Sequence, residues 1–168
     1  PEGVFQVLLP TNDDTAILIG EGNHDHIVFT GSVGVGRHLQ QANAVNFSGI
    51  DLELGGKDPA YVRADADINF AAENLMDGAF FNSGQSCCGI ERIYVHEDIF
   101  ASFIDKVEEV VKAYRLGNPT DPGVNFGPVV KPGAARFVRG QIDEAVAAGA
   151  KALIDPAHFP ADAHGTSY

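Results

Sequence analysis

Cysteine is scarce in this sequence: there are two in 168 residues, Cys87 and Cys88, side by side. Adjacent cysteines cannot staple distant segments, which argues against a disulfide-built secreted scaffold and for a reducing, cytoplasmic compartment. Basic residues are few as well. Eleven Lys and Arg stand against 23 Asp and Glu, a formal charge of −12, so there is little clustered positive charge to neutralise a polyanion and no nucleic-acid partner is expected. No apolar run approaches the ~20 residues that span a bilayer. The first residues also lack a basic stretch followed by an apolar one, so neither membrane nor secretion is indicated. The histidines, His24, His26, His38, His96, His158 and His164, are scattered. Zinc needs about four ligands at recognisable spacing, so no metal site is expected.

What is present is core-forming material. With 45% hydrophobic and 20% charged residues, the chain has the composition of one ordinary globular domain rather than a disordered segment. Residues 5–9 and 26–30 are short apolar runs stopped by Pro10 and Gly31, and both predict buried strands. Between them, residues 13–20 predict a short helix capped by Asn12 or Asp13. Residues 37–45 carry Leu39 and Ala42 at helical spacing, and residues 50–54 alternate apolar and acidic side chains. Alternating strands and helices with short connections imply parallel strands with crossover helices, an α/β layer of the mononucleotide-binding kind.

A second unit follows. Residues 60–62 predict a short strand. Residues 67–81 predict a helix capped by Asp65 or Asp67, with Ile68, Ala71, Leu75 and Ala79 on one side. Residues 92–96 have strand composition, and residues 98–114 repeat Ile99, Phe103, Val107, Val110 and Val111 at helical spacing. The Gly- and Pro-rich stretch 116–132 predicts a loop. Residues 134–148 predict an amphipathic helix ended by Gly149, residues 152–154 a strand, and residues 155–168 a surface loop.

The chemistry is expected at Phe80-Phe81-Asn82-Ser83-Gly84-Gln85-Ser86-Cys87-Cys88-Gly89. A thiol is a useful nucleophile when its environment favours the thiolate and leaves it reachable, although free cysteine is often just a small buried hydrophobe. Upstream, Leu52-Glu53-Leu54-Gly55-Gly56-Lys57 places a carboxylate in a strand before paired glycines, where a solvent-facing edge residue is the plain alternative. Gly31-Ser32-Val33-Gly34-Val35-Gly36 follows one predicted strand and opens a helix, so backbone N–H groups there can face a phosphate. Its spacing is not the G-x-G-x-x-G fingerprint.

Taken together, these stretches resemble the NAD(P)-dependent aldehyde dehydrogenase superfamily. Glu53-Leu54-Gly55-Gly56-Lys57 is similar to its E-L-G-G-K motif, Gly84-Gln85-Ser86-Cys87 to its G-Q-x-C motif, and Phe29-Thr30-Gly31-Ser32 with Gly36 to its F-T-G-S-x-x-x-G cofactor turn. The resemblance implies Cys87 as nucleophile, leaving Cys88 as packing or as a resolving thiol. It implies Glu53 as general base on the hydrolytic water, a role that calls for partial burial. Thr30, Gly31, Ser32, Leu54 and Gly55 become the expected contacts to NAD or NADP. One ring of Phe80 and Phe81 is expected to line an aldehyde tunnel. Asp65-Ala66-Asp67, and Leu116-Gly117-Asn118-Pro119 with Gly127-Pro128, resemble elements of the family read as structural.

The implied fold is α/β and aldehyde dehydrogenase-like. Residues 1–54 would be the C-terminal part of a cofactor-binding domain with a Rossmann-type parallel sheet, and 55–168 the N-terminal part of a catalytic domain, with the site at their seam. The implied activity is oxidation of a small aldehyde to a carboxylic acid, and the Glu of the motif favours a hydrolytic enzyme over a CoA-acylating one. The family's W-N-F-P-like segment, its early Lys-containing strand and its E-E-x-F-G-P motif have no counterpart here. The chain is therefore expected to be a central fragment of a longer, homo-oligomeric enzyme. Two alternatives stand beside this reading: a noncatalytic fragment or interaction module that keeps the motifs, and a cysteine-based hydrolase or redox protein.

Overall fold

A computed structural model describes residues 1–159. The backbone divides into two units, Pro1–Gly55 and a second that begins at Gly56.

In the first unit, α1 (Asn12–Gly20) is capped by Thr11. Thr11 Oγ1 accepts from Asp14 N at 3.2 Å, and the Asp14 carboxylate accepts from Thr11 N at 3.2 Å. This reciprocal capping box satisfies two of the free N–H groups of a first turn, and it places the cap at Thr11, ahead of the expected Asn12 or Asp13. The strand β1 (His26–Gly31) is followed by α2 (Val33–Asn43) and then β2 (Gly49–Leu54). The strands β1 and β2 are parallel, with Thr30 opposite Glu53 and Gly31 opposite Leu54, so α2 is the crossover that parallel pairing requires.

The alternation expected for residues 50–54 is present in β2, and β1 shows the same alternation in place of the burial expected of its apolar run, because only one of its faces is covered. Ile27, Phe29, Ile50, Leu52 and Leu54 are partly covered, whereas Val28, Thr30, Asp51 and Glu53 are exposed. The helix α2 starts at Val33, ahead of the expected Arg37, because Ser32 caps it by accepting from Val35 N at 3.3 Å. Its glycines are therefore helical rather than a turn. Gly36 shows the packing reason: a Cβ there would lie 2.8 Å from Leu54 Cδ2, so the missing side chain lets α2 approach β2 closely.

The strand expected over residues 5–9 does not form, and it is not buried: Phe5 is 87% and Leu9 97% exposed. A strand exists through its ladder to a neighbour, and β1 pairs only with β2 among the described residues.

In the second unit, β3 (Asp58–Val62) and β4 (Ile90–Val95) are parallel, with a register slip between Asp58 and Pro59. The crossover between them is α3 (Ile68–Phe80), whose N-cap Asp67 accepts from Phe70 N at 3.1 Å. A short 3₁₀ turn over Glu97–Ile99 leads into α4 (Phe100–Lys112), which packs on α3. The apolar repeat read from the sequence becomes the core. Val62, Ala72 and Phe103 are buried, and Ile68, Leu75, Ile93, Val95 and Val107 pack around them.

The stretch after α4 is a loop, pinned by Gly117 N donating to Phe126 O at 3.0 Å and Arg115 N donating to Asn125 Oδ1 at 2.7 Å. The last helix, α5 (Pro132–Ala147), opens on Pro132, which has no N–H to satisfy. Gly149 lies just beyond it at φ +101°, the left-handed position favoured after a helix end. Residues 152–154 form no strand, for the same reason as residues 5–9. Of the loop expected over residues 155–168, a 3₁₀ turn occupies Pro156–His158 with Asp155 as its cap. Its remainder beyond Phe159 lies outside the described residues.

Candidate active site

The cysteine loop is built on the end of α3. Phe80 closes the helix inside an aromatic cluster, edge-on to Tyr114 and Phe126, with ring centroids 5.9 Å away in both cases. Tyr114 and Phe126 stack at 5.5 Å. Phe81, just beyond the helix end, is exposed. Phe80 and Phe81 line a cavity of about 390 Å³ shared with Ser83, Tyr114, Phe126 and Pro128. Burial, and then the Asp77 carboxylate, push the Tyr114 phenol above its ordinary value of 10.0.

The chain then turns left-handed for three residues: Asn82 at φ +50°, Ser83 at φ +59° and Gly84 at φ +74°. Glycine adopts this conformation freely and asparagine tolerates it, but a serine there costs about 1–2 kcal/mol. Side-chain hydrogen bonds compensate. Asn82 Nδ2 donates to Gln85 O at 3.1 Å, and Gln85 Nε2 donates back to Asn82 O at 3.0 Å. Ser83 Oγ donates to Gly127 O at 2.7 Å, and Val130 N donates to Gln85 Oε1 at 2.7 Å.

Cys87 and Cys88 follow, both exposed and both free thiols. Among the described residues the Cys88 sulfur is not buried among apolar groups. It lies 3.3 Å from Ser86 Oγ. Gly89 N donates to Ser86 O at 3.2 Å, closing a turn around the pair. Gly56 N donates to Cys87 O at 3.2 Å. A Cβ on Gly56 would sit 2.8 Å from Asp58 Oδ1 and at an ordinary contact distance of 3.7 Å from Cys87 O, so the second glycine of the pair leaves room for the Asp58 side chain. Lys57 pairs with Glu91, and Arg92 Nη2 donates to Lys57 O at 2.9 Å, tying the start of β3 to β4.

The other expected residues lie in the first unit, at the carboxyl ends of β1 and β2. Thr30 and Glu53 are register partners on the exposed face, and Gly31 and Leu54 are partners on the partly covered one. Glu53 is exposed. The partial burial expected of a base is therefore not provided by its own unit, because the period of β2 turns Glu53 away from the α2 side. Ser32 caps α2, and the helix N-terminus together with the open space around Gly34 leaves room for an anionic group. No atom lies within 4 Å of a Cβ built on Gly55, so packing within the unit does not demand glycine at that position.

The links from Ser83 and Gln85 to Gly127 and Val130 have no signature in the sequence. They join residues 44 and 45 positions apart, and no local pattern announces such a contact. Gly56 reads in the sequence as half of a pair, with no signal that its N–H meets Cys87. Among the described residues no cluster of His, Cys, Asp and Glu fits a metal ion, and no helix is long and apolar enough to cross a membrane.

The sequence matches the profile of the Aldehyde dehydrogenase family over residues 1–168. It is 35% identical over 150 residues to the succinate-semialdehyde dehydrogenase [NADP(+)] of Mycobacterium avium, covering 89% of this chain and 32% of that protein. It is 36% identical over 152 residues to 2-hydroxymuconic semialdehyde dehydrogenase of Pseudomonas putida, covering 89% and 31%. Among solved structures, betaine aldehyde dehydrogenase from Staphylococcus aureus in complex with NAD+ superposes with a TM-score of 0.80 at 32% identity, over 83% of this chain and 28% of that one. An NADP-dependent enzyme from Escherichia coli superposes with a TM-score of 0.87 at 31% identity, over 92% and 32%. The chain thus spans about a third of the length of the curated relatives it matches. With its α/β architecture of parallel strands and crossover helices, the chain belongs to the aldehyde dehydrogenase family.

Proposed function

We propose that this chain carries the nucleophile and the base of an enzyme that oxidises an aldehyde to a carboxylic acid with NAD+ or NADP+. The observation that carries the reading is Cys87, a free thiol exposed at the end of a left-handed turn that is held by side-chain hydrogen bonds. An exposed sulfur on a fixed backbone satisfies the access a nucleophile needs.

The Cys87 thiolate attacks the aldehyde carbon, and the S–C bond converts the carbonyl oxygen into an oxyanion. That oxyanion needs donors, and the Cys87 N–H is one candidate. When bound, NAD(P)+ supplies the acceptor for the hydride, whose departure leaves a thioester on Cys87. Glu53 takes a proton from water, the resulting hydroxide adds to the thioester, and the C–S bond breaks to restore the thiolate and release the carboxylic acid, which gives its proton to solvent as Glu53 then does.

Thr30, Gly31, Ser32, Leu54 and Gly55 would hold the cofactor. Strand carboxyl ends and the N-terminus of an adjoining helix are the usual place for a dinucleotide in a parallel sheet. Domain limits of 1–54 and 55–168, assembly of the longer protein into a homo-oligomer and a cytoplasmic location belong to the same reading.

A second reading is favoured by the length covered: at about a third of its relatives, the 168-residue chain by itself is a noncatalytic piece that keeps the motifs. The two are separated by assaying the purified chain and the longer protein with NAD(P)+ and a short aldehyde. The chain alone is expected to give no turnover. In the longer protein, Cys87→Ala abolishes aldehyde-dependent NAD(P)H formation and Cys88→Ala does not. Activity surviving Cys87→Ala overturns the nucleophile assignment.

A further inference from the structure

The left-handed turn before Cys87 is held from outside by two side chains that flank Gly84. Ser83 Oγ donates to Gly127 O at 2.7 Å from a partly buried position, and Gln85 Oε1 accepts from Val130 N at 2.7 Å. Both reach the same segment between the Gly117–Phe126 contacts and α5, and both have good hydrogen-bond lengths. Gln85 is held a second time, through Nε2 to Asn82 O and N to Asn82 O.

A serine in the left-handed region is disfavoured by its Cβ and survives where the surroundings over-determine it. Here a hydroxyl aimed at a carbonyl supplies that constraint. The backbone from Gly84 leads through Gln85 and Ser86 to Cys87, whose carbonyl is anchored on its other side by Gly56 N. The cysteine is thus suspended between two fixings, one at Gly127–Val130 and one at Gly56.

We propose that Ser83 and Gln85 act as a clamp on the Gly127–Val130 segment and are positioning residues for Cys87. The role rests on the reading of Cys87 as nucleophile, while the clamp itself is a structural statement that is testable without activity. Ser83 carries the sharper test because its conformation and its bond make opposite demands on a replacement. Alanine keeps the disfavoured φ and loses the bond. Asparagine tolerates the left-handed region and brings an Nδ2–H that can donate to Gly127 O.

The experiment measures amide hydrogen exchange in the 168-residue chain, with Gly56 N–H as reporter of the Cys87 backbone and Ile93 N–H as reporter of the core. It is paired with kcat and KM of the longer protein. Ser83→Ala is expected to speed exchange at Gly56 on the order of fivefold to tenfold, the worth of one hydrogen bond, with exchange at Ile93 unchanged. It is expected to lower kcat by a similar factor at unchanged KM for the cofactor. Ser83→Asn is expected to recover both. Wild-type exchange at Gly56 and wild-type kcat in Ser83→Ala overturn the proposal, as does failure of Ser83→Asn to recover either loss. If Cys87→Ala remains active while the exchange results hold, the nucleophile reading fails and the positioning role falls with it, but the clamp stands.

Discussion

The amide of Gly56 donates to the carbonyl of Cys87 at 3.2 Å. This bond joins the two motifs that carry the family resemblance, because Gly56 is the second glycine of the E-L-G-G-K stretch and Cys87 ends the G-Q-x-C stretch. A side chain at position 56 would meet the Asp58 carboxylate at 2.8 Å, while Cys87 O stands at an ordinary contact distance of 3.7 Å.

Gly56→Ala tests this relationship. The added Cβ would stand 2.8 Å from Asp58 Oδ1, tighter than real contacts allow, and 3.7 Å from Cys87 O. Either the Asp58 side chain swings away or β3 shifts from the cysteine loop. The expected outcome is a loss of about 1 kcal/mol in chemical denaturation, with Gly56-to-Cys87 protection reduced in amide exchange while β4 amides keep theirs.

Gly36→Ala tests the packing of the first unit. A Cβ there would meet Leu54 Cδ2 at 2.8 Å and Leu52 Cδ2 at 3.6 Å, so α2 must retreat from β2 or Leu54 must leave its rotamer. Overpacking of this kind costs about 1–3 kcal/mol, against a gain of about 1 kcal/mol in helix propensity from replacing glycine, so the net change is a loss of up to about 2 kcal/mol. A lowered denaturation midpoint is expected. A raised one would show that α2 yields without penalty.

Tyr114 sets a dependence on alkaline pH. Burial, with the Asp77 carboxylate adding to it, raises the phenol above 10.0 in the folded chain, so the folded state holds the proton more tightly than the unfolded state. The contribution is fully present below the unfolded value and is lost as pH rises through the folded one. Tyr114→Phe keeps the ring that stacks on Phe126 and removes the ionisation. Its stability is expected to be flatter than that of the wild type above pH 10, measured by denaturation across that range.

Helix periodicity was the most legible feature. In α4, Phe103, Val107 and Val111 recur at helical spacing and the structure places them at or beside the core, because a helix makes its own backbone bonds and needs only an apolar stripe to dock. Strands were less legible. Residues 5–9 and 152–154 have the composition of strands and form none, whereas 26–31 and 49–54 do, because they find each other in parallel register. Caps fell between these cases: Asp67 was among the residues expected to cap α3, while Thr11 was not anticipated, since its pairing with Asp14 outcompetes the nearer candidates.

By itself the sequence determined where the helices lie, their apolar faces and the residues capable of chemistry, because these follow from local period and side-chain type. The tertiary structure decided which strands pair, how closely α2 lies on β2 through Gly36, and how the Cys87 loop is held. Those outcomes depend on contacts between residues far apart in the chain, such as Ser83 with Gly127 and Gly56 with Cys87, and closing such separations draws on packing and hydrogen bonding that no local pattern encodes.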